Sequence, residues 1–115
     1  MCHVLVIEDD WYLASDLAER ALSLGGDSVS MAATQQDAVT QARAQRPDII
    51  LSDVELLDGT GPLAVETIIA DGGDIPVIFI TGNPESCRPC EAPHVILTKP
   101  LQEKAFARLF IERTT

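Results

Sequence analysis

The chain has 115 residues, 46% of them apolar and 23% charged, and its 18 acidic against 8 basic side chains give a formal charge of -10. A chain of this length buries roughly 65% of its unfolded surface on folding, and the composition excludes collagen-like, low-complexity and globally disordered proteins. The negative balance also argues against nucleic acid as a direct partner, because it removes the attraction to phosphates that supplies non-specific binding.

In chain order, the first apolar run, His3 to Ile7 (HVLVI), is continuous and ends in Glu8-Asp9-Asp10. Apolar spacing through Leu13, Leu17, Ala21 and Leu24 predicts a helix from Trp11 to Leu24, stopped by Gly25 and Gly26. Ser28 to Ala32 alternates serines with Val29 and Met31, the pattern of an edge strand. A second helix, Thr34 to Gln45, has Thr34 as N-cap and Pro47 just beyond its end. Asp48 to Ser52 is the third strand, and Gly61 to Asp71 the third helix, closed by Gly72 and Gly73. Pro76 to Ile80 and His94 to Leu97 complete the strands, and a helix carrying Leu101, Ala105, Phe106, Leu109 and Phe110 follows Pro100. Between the last two strands, Pro84, Pro89 and Pro93 leave room for little more than one helical turn.

Four of the five strands are apolar without alternation, which implies a sheet covered on both faces by helices. Strand and helix alternate throughout, so the expected architecture is an α/β doubly wound sheet. The chain reads as a single domain over residues 1–115, with no output domain. No apolar run approaches the ~20 residues of a membrane helix. An acidic triplet stands near the N-terminus where a secretory signal needs a basic start, so the expected location is cytoplasmic, away from membranes.

In such a sheet, ligands bind beyond the carboxyl ends of the strands. The residues there are Glu8, Asp9 and Asp10 after the first strand, Asp53 after the third, Thr81 after the fourth, and Thr98-Lys99-Pro100 after the fifth. Carboxylates brought this close repel one another, each pair by about 4 kcal/mol at ~4 Å and an effective dielectric near 20. A hard divalent cation relieves the repulsion, and the all-oxygen set Glu8, Asp9 and Asp53 suits Mg²⁺. With an ammonium from Lys99 and a hydroxyl from Thr81, such a site is equipped to hold a phosphoryl group, and Asp53 is the natural nucleophile.

The segments VLVIEDD (Val4 to Asp10), IILSDVELLDGTG (Ile49 to Gly61), VIFITG (Val77 to Gly82) and ILTKP (Ile96 to Pro100) occur in this order, each at a strand end. Over its whole length the chain resembles a response-regulator receiver domain of two-component signalling. The resemblance implies a flavodoxin-like five-stranded parallel sheet of order 2-1-3-4-5. It implies that Asp53 accepts a phosphoryl group from a histidine kinase or histidine phosphotransfer protein, and that the product signals to a downstream protein not identifiable from the sequence. It further implies that Asp9, Asp53 and the backbone carbonyl of Glu55 bind Mg²⁺, that Glu8 assists through water, and that Thr81 and Lys99 contact the phosphoryl oxygens.

Three positions depart from the family pattern. Leu57 replaces a usual proline, a change expected to affect only the loop. Ile96 replaces the usual switching aromatic, and the 83–93 segment is short, so the fourth helix should be reduced and the segment itself becomes the expected switching element. Phe79-x-Thr81-Gly82, with these features, is similar to a receiver subgroup of alphaproteobacterial stress regulation, although Asn83-Pro84 departs from that subgroup's ending. Two other functions compete. A haloacid-dehalogenase-type phosphatase would need Asp-x-Asp-x-Thr on its first strand, which is missing here, and a phosphorylation-independent adaptor would not need the complete acidic site. On either leading reading the chain is not an enzyme.

Other groups are read as structural. Cys87-Arg88-Pro89-Cys90 sits in a Pro-rich segment, which suits neither a redox pair opening a long helix nor a four-ligand zinc site. These two are expected to be incidental thiols, and no disulfide framework is expected with Cys2 as a third. His3 and His94 open strands at the edge away from the acids. Trp11 and Tyr12 are expected to divide between core and surface.

Overall fold

The computed structural model describes residues 2–87 and 94–115. Its strands are β1 (His3–Ile7), β2 (Ser28–Ala32), β3 (Ile49–Ser52), β4 (Val77–Thr81) and β5 (Val95–Thr98), and its helices are α1 (Trp11–Ser23), α2 (Gln35–Ala44), α3 (Gly61–Gly72) and α4 (Glu103–Thr114). All strand pairs are parallel and the order is β2-β1-β3-β4-β5. Where the fourth of five helices was expected to be reduced, the described residues hold one 3-10 turn, Pro84–Ser86.

The continuous apolar strands divide their side chains between two cores, since successive residues point to opposite faces. Leu5, Ile7, Ile50, Val77 and Phe79 face Ala38 and Ala42 of α2 and Ala64, Val65 and Ile68 of α3. Val4, Val6, Ile49, Leu51, Ile78 and Ile80 face Ala14, Leu17 and Ala21 of α1 and the fully buried Phe106 and Phe110 of α4. β1, β3 and β4 are buried along their whole length. β5 differs from its expected double coverage: its residues are half-buried or exposed because it forms the second edge of the sheet.

The caps set where each helix begins. Thr34 Oγ1 accepts from the Asp37 amide at 3.0 Å, as its position predicts. Asp10 caps α1, with Oδ1 accepting from Tyr12 and Leu13 at 3.0 and 3.3 Å. Gly25 and Gly73 adopt φ values of 111° and 105° beyond α1 and α3, a backbone region that glycine enters without strain.

Two expectations fail in this frame. Trp11 and Tyr12 are both exposed, at 74% and 77%, because α1 turns its opposite face, Ala14, Leu17 and Ala21, to the sheet. Cys87 is disulfide-bonded and buried in the α2–α3 core, not an incidental thiol, and Cys90 lies outside the described residues. Cys2 is free. Most of the expected switching segment, residues 88–93, also falls outside the described residues. Among the described residues no helix is long and apolar enough to cross a membrane.

Candidate functional site

Register brings the strand ends to one edge. Ile7 pairs with Ala32 and Ser52, and Thr81 pairs with Thr98. The ladders continue one residue further, through Glu8 N–H to Ala32 O at 2.9 Å, Asp53 N–H to Ile7 O at 2.8 Å and Lys99 N–H to Thr81 O at 2.8 Å. The backbone itself therefore places Glu8, Asp53, Thr81 and Lys99 side by side.

Carboxylate oxygens of Glu8, Asp9 and Asp53 lie within 4.8 Å of one another. Lys99 Nζ stands 3.5 Å from Glu8 Oε1 and 3.5 Å from Asp53 Oδ2. Asp53 Oδ1 accepts from the Val54 amide at 2.8 Å, so one oxygen is fixed by backbone while the other faces the ammonium. The Lys99–Pro100 peptide bond is cis. Thr81 is buried, and its Oγ1 accepts from the Asn83 amide at 3.0 Å.

Glu8 is 4% exposed, and its carboxyl is pushed up to about 7. Burial is the main cause; the Asp10 N–H and the Lys99 ammonium oppose it, while the Asp53 charge and a hydrogen bond shared with Asp9 add to it. Independently of that shift, three carboxylates share the site with one ammonium. The donor set is all oxygen, which fits a hard divalent cation and not a thiophilic one.

The acidic triplet divides its labour. Glu8 and Asp9 join Asp53 in the cluster, while Asp10 caps α1, the structural job open to any acid at a helix start. Glu55 is exposed, two residues beyond Asp53 on the 53–60 connection, and bridged to Thr60 across a tight antiparallel turn. The histidines stand apart from this cluster: the His3 ring lies between Ser28 Oγ at 2.7 Å and Ser30 Oγ at 3.0 Å, and the His94 ring meets Phe79 edge-on at 5.8 Å, with burial lowering its pKa.

Several supporting residues were not singled out from sequence. Buried Ser52 donates from Oγ to the Asp53 carbonyl at 2.7 Å. Gly61 comes so close to this pair that a Cβ there would collide with the Asp53 carbonyl and Ser52 Oγ. Gln35 Oε1 accepts from the Thr60 amide at 3.0 Å and ties α2 to the connection after Asp53. Leu57, expected to matter only to its loop, donates its amide to Asp9 Oδ2 at 2.6 Å. The glycine in the GTG motif was a signal for close backbone approach; the other three contacts leave no mark in residue type.

A parallel 2-1-3-4-5 sheet with an acidic cluster, a threonine and a lysine at its carboxyl edge is the arrangement expected of a phosphoryl-accepting receiver. The chain belongs to the response regulator receiver domain family, whose model matches residues 4–108. A curated relative, the phyllosphere-induced regulator PhyR of Methylorubrum extorquens, is 35% identical over 102 residues, covering 86% of this chain but only 38% of the regulator. The chain thus spans less than two fifths of that relative's length. The solution structure of the PhyR receiver domain from Erythrobacter litoralis superposes with a TM-score of 0.86 at 33% identity, over 97% of this chain and 88% of that one. The receiver domain of sensor histidine kinase PA1611 from Pseudomonas aeruginosa, with magnesium coordinated in its active-site cleft, gives a TM-score of 0.84 at 26% identity over 98% and 97% of the two chains. The likeness is therefore to the PhyR type of receiver, and the family assignment sets aside the haloacid-dehalogenase alternative.

Proposed function

We propose that the chain is a Mg²⁺-dependent phosphoryl acceptor, modified on Asp53 by a histidine kinase or histidine phosphotransfer protein, and that it signals through contact with another protein. The observation that carries this reading is the position of Lys99 Nζ, 3.5 Å from both Asp53 and Glu8. An acceptor aspartate needs a nearby positive charge that attracts the incoming anion, and a lysine ammonium at this range serves that purpose.

In the step itself an Asp53 carboxylate oxygen forms a bond to phosphorus, the phosphorus–nitrogen bond of the donor phosphohistidine breaks with its electron pair going to nitrogen, and the imidazole, already protonated on its other ring nitrogen, leaves as the neutral ring. Lys99 and the Thr81 hydroxyl then hold the phosphoryl oxygens, the hydroxyl donating its proton to one of them while its oxygen can still accept from the Asn83 amide. Glu8, Asp9, Asp53 and the Glu55 carbonyl would hold Mg²⁺, which when bound neutralises charge shared between acids and phosphoryl group. Exposed Trp11 and Tyr12 in the first turn of α1, and exposed Leu57 on the connection after Asp53, follow the acids in the chain and offer a surface for a donor protein.

The test is a screen of radiolabelled phospho-kinases and phosphotransfer proteins from the same organism. Rapid transfer from one donor to the wild type and none to Asp53→Asn supports the reading. Transfer to neither, or equally to both, contradicts it. The donor found would also supply the genetic handle for the downstream protein and a test of cytoplasmic location.

A further inference from the structure

Leu57 has a side chain that is 93% exposed, so it adds little to the core, yet its backbone N–H donates to Asp9 Oδ2 at 2.6 Å across 48 residues of sequence. A bond from a peptide N–H to a carboxylate is charge-assisted, short and about twice as strong as a neutral one. Proline at this position would have no N–H to give. What distinguishes Leu57 from proline at this site is therefore the donor on its backbone and not the size of its side chain.

That donor acts on an acid of the cation site. Asp9 shares the cluster with Glu8 and Asp53, each offering a carboxylate oxygen within 4.8 Å of the others. With Oδ2 engaged by Leu57, rotation of the Asp9 carboxylate is restrained, while the group keeps lone pairs free for a cation. The amide also offsets part of the negative charge on Asp9 before any cation arrives. Groups that hydrogen-bond to metal-ligating carboxylates fix their orientation, and removal of such a group lowers metal affinity by about 10–100-fold.

We infer that Leu57 is a positioning residue for the cation site, acting through its backbone amide on Asp9, and that it couples the connection after the acceptor strand to the acids after β1. The inference rests on the Mg²⁺ site proposed above. It predicts a dependence on backbone chemistry that a packing role for leucine would not produce.

The experiment is a Mg²⁺ titration of metal-free protein, followed by the fluorescence of Trp11, the sole tryptophan, two residues beyond Asp9. Leu57→Ala, which keeps the N–H, should bind as the wild type does, while Leu57→Pro should bind about tenfold more weakly. Equal affinity for the proline variant and the wild type overturns the inference, and so does an alanine variant as weak as the proline one. If the wild type itself binds no Mg²⁺, the cation site falls and the inference with it, which separates the two failures. Should Leu57→Pro not fold, a scalar coupling across the hydrogen bond between the Leu57 nitrogen and the Asp9 carboxyl carbon decides the matter in the wild type. The coupling should be present without Mg²⁺ and persist with it; loss of the coupling on Mg²⁺ binding, or its absence throughout, overturns the inference.

Discussion

Lys99 Nζ lies 3.5 Å from Oδ2 of Asp53, and the same ammonium lies 3.5 Å from Oε1 of Glu8. One cation thus answers two acids, with Asp9 as a third in the same cluster. Its ladder bond to Thr81 O fixes the lysine at the end of β5, so the pairing is a product of sheet register and not of a chance surface encounter.

Removal of that ammonium should therefore destabilise the metal-free protein. The Lys99 side chain is 32% exposed, so solvent screens part of the interaction, and the cost of Lys99→Met at pH 8 should be about 1 kcal/mol and not the larger value of a fully buried pair. Urea denaturation in chelator measures it. A variant more stable than the wild type at that pH would show that the ammonium contributes no net stabilisation to the acids.

The Glu8 carboxyl gives the fold a pH dependence of defined sign. Its pKa is raised from an ordinary 4.5 to about 7, so between these values the folded chain holds a proton that the unfolded chain has released. Stability from this group is fully present below the lower value and is lost as pH rises through the upper one. In chelator, the wild type should lose about 2 kcal/mol between pH 5 and pH 8 from this source. Glu8→Gln should flatten the profile over that window, and saturating Mg²⁺ should do the same by favouring the ionised acid. An unchanged slope in Glu8→Gln would assign the titration to another group.

Neutralising another member of the cluster should also relieve repulsion. Asp9→Asn and Asp53→Asn keep an oxygen for the Leu57 and Val54 amides respectively, and each should raise the melting temperature in chelator. Millimolar Mg²⁺ should stabilise the wild type by on the order of 1 kcal/mol when several-fold above its Kd, and stabilise the two variants less. Thermal melts with and without the ion test both statements, and a wild type indifferent to Mg²⁺ contradicts the second.

Gly61 links the fold to the site. Its backbone approaches the Asp53 carbonyl and Ser52 Oγ too closely for a Cβ, and neither neighbour is a flexible chain end that can move aside. Gly61→Ala should cost about 3 kcal/mol, near the upper end for overpacking, and displace the acceptor. Denaturant unfolding gives the cost, and a loss within error of zero would show that the β3–α3 approach is more compliant than this contact implies.

Much of the fold could be read from residue type, because a strand buried on both faces must be apolar at every position, and His3 to Ile7, Ile49 to Ser52 and Val77 to Ile80 largely meet that condition. The gathering of Glu8, Asp9, Asp53, Thr81 and Lys99 followed from the parallel order alone. Other features depended on facts that the sequence does not encode locally. β5 looks like a buried strand but lies at an edge, and a run of four apolar residues is the same in either place. Trp11 and Tyr12 are large and apolar yet exposed, since the phase of α1 is set by Ala14, Leu17 and Ala21, which pack closer to the sheet than rings allow. The role of Leu57 was invisible because it is played by an amide that every residue but proline possesses.

The most direct test of the central claim is intact-mass analysis after exposure to a small phosphodonor with Mg²⁺. Addition of a single phosphoryl group, mapped to Asp53, lost on treatment with acid or base and absent from Asp53→Asn, is the predicted result. Labelling of Asp53→Asn at the wild-type level, or a wild type that acquires no phosphoryl group from any donor, would contradict the assignment of this chain as a phosphoryl acceptor.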